Sequence, residues 1–274
     1  MNSLVLEIAN NRSVRLLQLT DMHLFRTPHE SLLGVNTWQS YQAVLAAVSA
    51  ERHNIDLVVA TGDLAQDQSP EAYLAFAAGI HQLQKPCVWL PGNHDFQPAM
   101  VNTLAHQGIC PQKSVLLGAH WQLLLLDSQV HGVPHGLLSD YQLQGLSEAL
   151  ARHPQRHTVI LLHHHPTPSG CTWLDAHSLR NAHQLAEVLQ HYPLAKTIVC
   201  GHIHQEMDAD WQGRRVLSTP STCVQFRPQC TGFTIDSLSP GWRWLELHPN
   251  GEISTRVERL SDTQFQPDLH SEGY

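Results

Sequence analysis

The sequence predicts an α/β layered fold, on three observations. Short β-rich runs alternate with helix-patterned segments through the first three quarters of the chain, several of those helices carry readable start signals, and the last quarter turns to successive strands. Strand patterns occupy residues 15–20, 57–61, 87–90, 121–127, 158–162 and 197–200. Between them, Asn36 with Gln39 three positions on opens a helix to about residue 53, and Ser69 precedes Pro70 at a first helical position. Ser139 followed by Gln142 has the form of a capping box, and two more helices are expected over residues 98–107 and 179–192. After His204 strands are expected at 214–218, 232–236, 242–247 and 253–260, with Pro249-Asn250-Gly251 as a hairpin turn. No repeat, low-complexity segment or linker interrupts the chain. Residues 1–260 therefore read as one domain, with a β-rich completion over 205–260 and a polar tail over 261–274.

Composition narrows the function. With 42% hydrophobic and 15% charged residues, the chain is globular rather than disordered or fibrous. Asp plus Glu number 24 against 16 Lys plus Arg, and the absence of any basic run argues against a nucleic-acid partner. An anionic substrate would then have to be drawn by bound cations, and 21 His are consistent with that. Residues 1–10 lack the features of a signal peptide, and no apolar run approaches the roughly 18 residues that span a bilayer. Six Cys without a CxxC pair suit a reduced, cytoplasmic chain in which each is a small buried residue, and structural zinc at cysteine is not expected. Nothing in the sequence fixes an oligomeric state.

The His and Asp clusters fall at the C-terminal ends of the predicted strands: Asp21-Met22-His23, Gly62-Asp63, Gly92-Asn93-His94-Asp95, His163-His164-His165-Pro166 and Gly201-His202-Ile203-His204. That edge of an open α/β sheet is where ligands bind. Imidazole mixed with carboxylate and amide oxygen, and no thiolate, suits manganese or iron, with zinc possible. If the backbone stays extended, alternation in Asp21-x-His23 and His202-x-His204 puts both side chains of each pair on one face. Glycines beside Asp63, Asn93 and His202 allow close backbone approach to a bound group. Each cluster alone is commonplace; five in order, all after strands, are not. Of the histidine triplet His163, nearest the strand end, is the chosen ligand over His164.

In this order the motifs resemble the calcineurin-like metallophosphoesterase superfamily across residues 21–204. The stretches Leu33-Gly34-Val35-Asn36-Thr37-Trp38, Ala60-Thr61-Gly62-Asp63-Leu64-Ala65-Gln66-Asp67, Leu90-Pro91-Gly92-Asn93-His94-Asp95 and Ser218-Thr219-Pro220-Ser221-Thr222-Cys223-Val224-Gln225-Phe226 resemble the bacterial class III 3′,5′-cyclic AMP phosphodiesterases over nearly the full length. No motif position departs from that pattern. The resemblance implies a four-layer αββα sandwich of two mixed sheets flanked by helices, with two divalent metal ions, iron and/or manganese. It implies that Asp21, His23 and His204 hold one ion and Asn93, His163 and His202 the other, with Asp63 bridging. Two such cations clamp a phosphate and acidify the attacking water.

His94, the motif histidine left without a metal, is assigned to protonating the departing 3′ oxygen or stabilising phosphoryl charge, with Asp95 either orienting it or serving as a turn residue. His23, Asp63, Asn93, His94 and His204 are expected to touch the substrate, cyclic AMP. Trp173, Phe226 and the polar groups near Arg215 are candidates for reading the base. The same fold acting on another phosphodiester, a pyrophosphate or a monoester is the alternative enzyme reading. A lipid-directed relative would want a membrane-binding element and a nuclease a basic groove, and neither is present. A non-catalytic protein-binding scaffold is disfavoured because it could dispense with ligands that are all here, and a His-rich storage protein because the ligands are dispersed.

Overall fold

The computed structural model describes residues 3–261, 263–271 and 273. The chain begins with β1 (Ser3–Leu6), β2 (Val14–Leu19), the short ladder β3 (Ser31–Leu32) and β4 (Val35–Asn36), and α1 (Thr37–Ser49). Next come β5 (Leu57–Ala60), α2 (Pro70–Leu83), β6 (Cys87–Trp89), α3 (Gln97–His106), β7 (Ser114–Leu117), β8 (Trp121–Leu125) and α4 (Asp140–Arg152). The remainder runs through β9 (His157–Leu161), α5 (Thr172–Asp175), α6 (Ala182–Leu189), β10 (Ala195–Cys200), β11 (Met207–Trp211) and β12 (Arg214–Ser218). It ends with a second ladder, β13 (Gln225–Phe226) and β14 (Ile235–Asp236), then β15 (Gly241–Leu247) and β16 (Ile253–Arg259).

Two mixed sheets form, in the orders β1-β7-β8-β9-β10-β12-β11 and β16-β15-β2-β5-β6. Their central strands are apolar on both faces, so each sheet must be covered twice. On β2 and β5, Leu16, Leu57 and Val59 point between the sheets and meet Leu123, Val159, Leu161, Val199 and Leu217. Leu17, Leu19 and Val58 alternate to the other face and pack against Tyr41 and Leu45 of α1, Tyr73 and Phe76 of α2 and Met100 and Leu104 of α3. Leu124, Ile160, Ile198 and Cys200 meet Leu143, Leu146 and Leu150 of α4 and Leu185 and Leu189 of α6 on the far side. The result is the four-layer αββα arrangement.

Three helix starts are capped as the sequence indicates: Asn36 accepts from the Gln39 N–H, Ser69 from that of Ala72 and Ser139 from that of Gln142. The capping box at Ser139 is only half formed, because Gln142 Oε1 accepts the Asp127 N–H at 3.3 Å instead of turning back on the cap. Helix α1 stops at Ser49, short of the expected residue 53, and α6 covers only Ala182–Leu189. Its entry is pinned by Asn181, whose side chain bonds both the N–H and the carbonyl of Leu138. The strand expected at 232–236 shrinks to Ile235–Asp236 since its first residues form a hairpin loop. Strands β1, β7 and β11 carry no sequence signal strong enough to have been foreseen; β11 alternates exposed Asp208 and Asp210 on an edge. Cys110 is exposed and Cys87 and Cys230 are half-buried, contrary to a buried reading for every Cys.

The expected tail is docked on the fold. Phe265 is buried against Leu32, Val35, Cys223 and Val224, and the Asp268 N–H donates to the Leu33 carbonyl at 2.7 Å. Residues 262, 272 and 274 of that tail lie outside the described residues. Among the described residues no helix is long and apolar enough to cross a membrane.

What positions the site is strand direction. Strands β2, β5 and β6 are mutually parallel in one sheet, and β9 and β10 in the other, so their C-terminal ends share one edge of the sandwich. Gln18 of β2 ties the sheets there, donating to the Thr61 hydroxyl at 2.8 Å and to the Cys200 carbonyl of the opposite sheet at 3.1 Å.

Candidate metal centre

The five strand-end motifs converge, and the backbone does so by leaving the extended region. Asp21, His23, Asp63, His202 and His204 have φ of 53°, 48°, 51°, 70° and 51°. The extended alternation expected for Asp21-x-His23 and His202-x-His204 is therefore replaced by successive left-handed kinks. Each such residue costs of order 1–3 kcal/mol and persists only where its surroundings over-determine it, which is typical of functional sites. Here the kinks are held by the Asp21 N–H on the Gly62 carbonyl at 3.0 Å and the His23 N–H on the Asp63 carbonyl at 2.9 Å. The His202 N–H on the Asp21 carboxylate, at 3.1 Å, links the two sheets. The glycines admit close approach as expected, but to the other motifs' side chains. A Cβ on Gly92 would strike the Asp63 carboxylate and backbone, and one on Gly201 the Asp21 carboxylate.

Two facing groups of donor atoms result. In the first, His23 Nδ1 lies 2.6 Å from Gln66 Oε1 and His204 Nδ1 lies 2.8 Å from the Val224 carbonyl, so both Nδ1 atoms are donors. The two Nε2 atoms, 3.1 Å apart, then turn lone pairs toward each other and toward Asp21 Oδ1, which is 3.4 Å from His204 Nε2. In the second, His163 Nδ1 donates to the Thr61 carbonyl at 2.8 Å. Its Nε2 faces Asn93 Oδ1 at 3.1 Å and His202 Nδ1 at 3.2 Å. Asp63 stands between: Oδ1 accepts the His94 N–H at 2.9 Å, while Oδ2 is 3.3 Å from His163 Nε2 and 3.8 Å from His23 Nε2. Lone pairs and carboxylate oxygens crowded together out of water are mutually repulsive without a cation between them, and outward-facing acceptors that fix each tautomer are the usual support for metal-binding imidazoles. The donor sets fit metal ions, and groups of three ligand atoms within 4.8 Å of one another occur on both sides of Asp63. The fold and this cluster support two divalent metal ions.

Electrostatics agree. Burial would raise the Asp63 carboxyl, but His163, His94 and His23 outweigh it and hold it well below the usual range. Burial pushes His23 down to about 3 despite Asp63, and drives His202 and His164 well below the ordinary histidine value, so these rings are neutral. His163 is the exception: burial lowers it, yet Asp63 and Asp21 lift it to about 9. In the metal-free protein it carries a proton that coordination must displace. Metal loading near neutral pH should therefore release a proton from His163. Apparent affinity at that position should rise about tenfold per pH unit between about 7 and 9 and level off above. Titration calorimetry in two buffers of different ionisation enthalpy counts the proton, and a count of zero would mean that His163 is already neutral before metal binds.

Of the triplet, His165 is engaged by Asp175 at 3.3 Å; His164 Nδ1 is engaged by the Ser128 hydroxyl at 2.8 Å, while its buried Nε2 has no hydrogen-bond partner and the ring shares a ligand-atom group with His163 and His202. Asp95 does not orient the His94 ring. It is buried, and its carboxylate accepts from the N–H groups of Leu64, Ala65 and Gly92, so it binds the two loops that present Asp63 and Asn93. Asn93 and His94 are half-buried and open, with His202, onto a cavity of about 460 Å³. Gln66 and the carbonyls of Thr61 and Val224 went unread in the sequence because their role depends on distant partners. Phe226 is buried, stacked on His204 at 4.4 Å, and Arg215 pairs with Asp208 at the opposite end of β12, so neither faces the cavity.

Metal-dependent phosphoesterases are the class that this sandwich and its ligand-bearing edge define. The chain belongs to the calcineurin-like phosphoesterase family, which it matches over residues 14–206. It is 62% identical over 271 residues to the 3′,5′-cyclic adenosine monophosphate phosphodiesterase CpdA of Escherichia coli (strain K12), covering 99% of this chain and 98% of that one. It is 49% identical to the protein of the same name from Haemophilus influenzae, over 95% of both chains. Among solved structures, a dimetal phosphatase from Danio rerio aligns with a TM-score of 0.63 at 15% identity, over 89% of this chain and 98% of that one. A purple acid phosphatase from yellow lupin aligns with a TM-score of 0.64 at 16% identity, over 94% and 53%. These two speak to the fold alone.

Proposed function

We propose that this chain hydrolyses the 3′ phosphoester bond of 3′,5′-cyclic AMP to give 5′-AMP, lowering a second messenger in the cytoplasm, with no nucleic-acid or membrane partner. The observation that carries the reading is the full-length 62% identity to a cyclic AMP phosphodiesterase. The convergence of all seven expected donors at a cavity edge supports it. Asp21, His23 and His204 form one ligand group and Asn93, His163 and His202 the other, with Asp63 shared. The metals are iron and/or manganese, with zinc also compatible with the nitrogen and oxygen donors. When bound, such a pair clamps the phosphate and makes water nucleophilic at neutral pH. The protein's own part is placement. Asp63 fixes the His94 N–H, and so the turn that presents Asn93 and His94 to the cavity. His94 lies edge-on to His23 at 4.9 Å and delivers a proton to the leaving 3′ oxygen. His23, Asp63, Asn93, His94 and His204 border the phosphate.

The test is 5′-AMP release from cyclic AMP by metal-stripped protein, with and without added manganese or iron, beside bis-p-nitrophenyl phosphate. Turnover of both only with metal is expected. Cleavage of the generic diester alone would retain the metal-dependent esterase and move the substrate elsewhere.

A further inference from the structure

We propose that Trp173 and Phe233 form an aromatic platform that holds the purine base of the nucleotide; this deepens the reading above and names the part of the substrate that the metal centre does not meet. The 460 Å³ cavity is lined by Asn93, His94 and His202 of the strand-end motifs and by Trp173, His177 and Phe233, with Val133 and Pro134. That volume suits a mononucleotide. Among the described residues that line it there is no Lys, Arg, Asp or Glu, so beyond the metal edge nothing meets a second phosphate. A flat, neutral group is what such a lining accepts, and every base has a π-face that stacks on an aromatic side chain.

The two rings are built into place. Their centroids are 5.2 Å apart at 69°, and both rest edge-on against Phe226, at 5.0 Å for Trp173 and 5.5 Å for Phe233. Phe226 in turn stacks on His204, so the platform is registered to the phosphate end of the cavity through one buried ring. Trp173 sits in the short helix α5, whose Thr172 N–H donates to the Cys230 carbonyl at 3.1 Å in the loop that carries Phe233. Trp173 was open to reading from the sequence as an aromatic near a ligand motif; Phe233, in a hairpin loop, was not.

The experiment uses metal-loaded protein hydrolysing methyl p-nitrophenyl phosphate, a diester without a base, and measures inhibition by 5′-AMP and by ribose 5-phosphate. The wild type should bind 5′-AMP at least roughly tenfold more tightly than ribose 5-phosphate, the range expected for one stacked base. Phe233→Ala and Trp173→Ala should each erase most of that ratio while leaving methyl p-nitrophenyl phosphate turnover within about twofold, and Phe233→Tyr should restore it. With cyclic AMP as substrate the same variants should raise KM and spare kcat. Equal inhibition of the wild type by both ligands, or a ratio untouched in both alanine variants, overturns the platform. A large ratio in a wild type that fails to hydrolyse cyclic AMP would instead overturn the substrate assignment and leave the platform standing.

Discussion

Replacing Asp63 by alanine is expected to lower kcat/KM for cyclic AMP by roughly 10⁴ or more and to leave the purified protein with fewer than two metal ions per chain. The size follows from position. Asp63 is 1% exposed, and its Oδ2 faces imidazole nitrogens of both donor groups, His163 at 3.3 Å and His23 at 3.8 Å. On the proposed bridging role, alanine removes the anion shared between two cations, and metal-derived transition-state stabilisation of several kcal/mol goes with it, at a factor of ten in rate for about each 1.4 kcal/mol. It also frees the His94 N–H that Oδ1 holds at 2.9 Å, so the cavity-facing turn loses its anchor. Asp63→Asn separates the two losses: an amide oxygen still accepts from His94, but the charge is gone. Metal content by elemental analysis and turnover with excess metal should fall for both variants, alanine the more. Full metal content with turnover within about tenfold of wild type would remove Asp63 from the bridging position.

The proposed ligands stand out in the sequence because their signal is local. A strand pattern predicts where a chain reaches the sheet edge, and Asp21, Asp63, Asn93, His163 and His202 each follow such a pattern by one to three residues. How the ligands turn inward was not legible. Left-handed φ at Asp21, His23 or His204 goes with contacts to Gly62, Asp63 and Val224 respectively, which lie in other segments. The four layers were implied by resemblance rather than by periodicity, since which sheet a strand joins is decided far along the chain: Leu16 pairs with Leu245, and the acidic β11 adds itself to the edge beside β12. The tail misled for a related reason. Its composition is polar, and Phe265, an apolar residue that docks it, becomes meaningful only against Leu32 and Val224.

His94→Ala should keep both metals and lower kcat for cyclic AMP by about 10² to 10⁴, the usual weight of a positioned proton donor. His94 also lies close enough to His23 and Asp63 to count as a third member of a metal-binding group. Its half-buried ring opens onto the cavity, however, whereas all seven assigned donors except Asn93 are buried. Metal content in the variant decides between the two roles, and loss of an ion would make His94 a ligand. If metal is retained, the leaving group distinguishes what the ring does. A ribose 3′ oxygen departs as a strongly basic alkoxide and needs a proton, whereas p-nitrophenolate departs without one. A proton donor therefore predicts a large loss on cyclic AMP and a small one on methyl p-nitrophenyl phosphate. A ring that only stabilises charge on the phosphoryl oxygens predicts similar losses on both. Near-equal losses would assign His94 to charge stabilisation and leave the proton for the 3′ oxygen to be supplied by water.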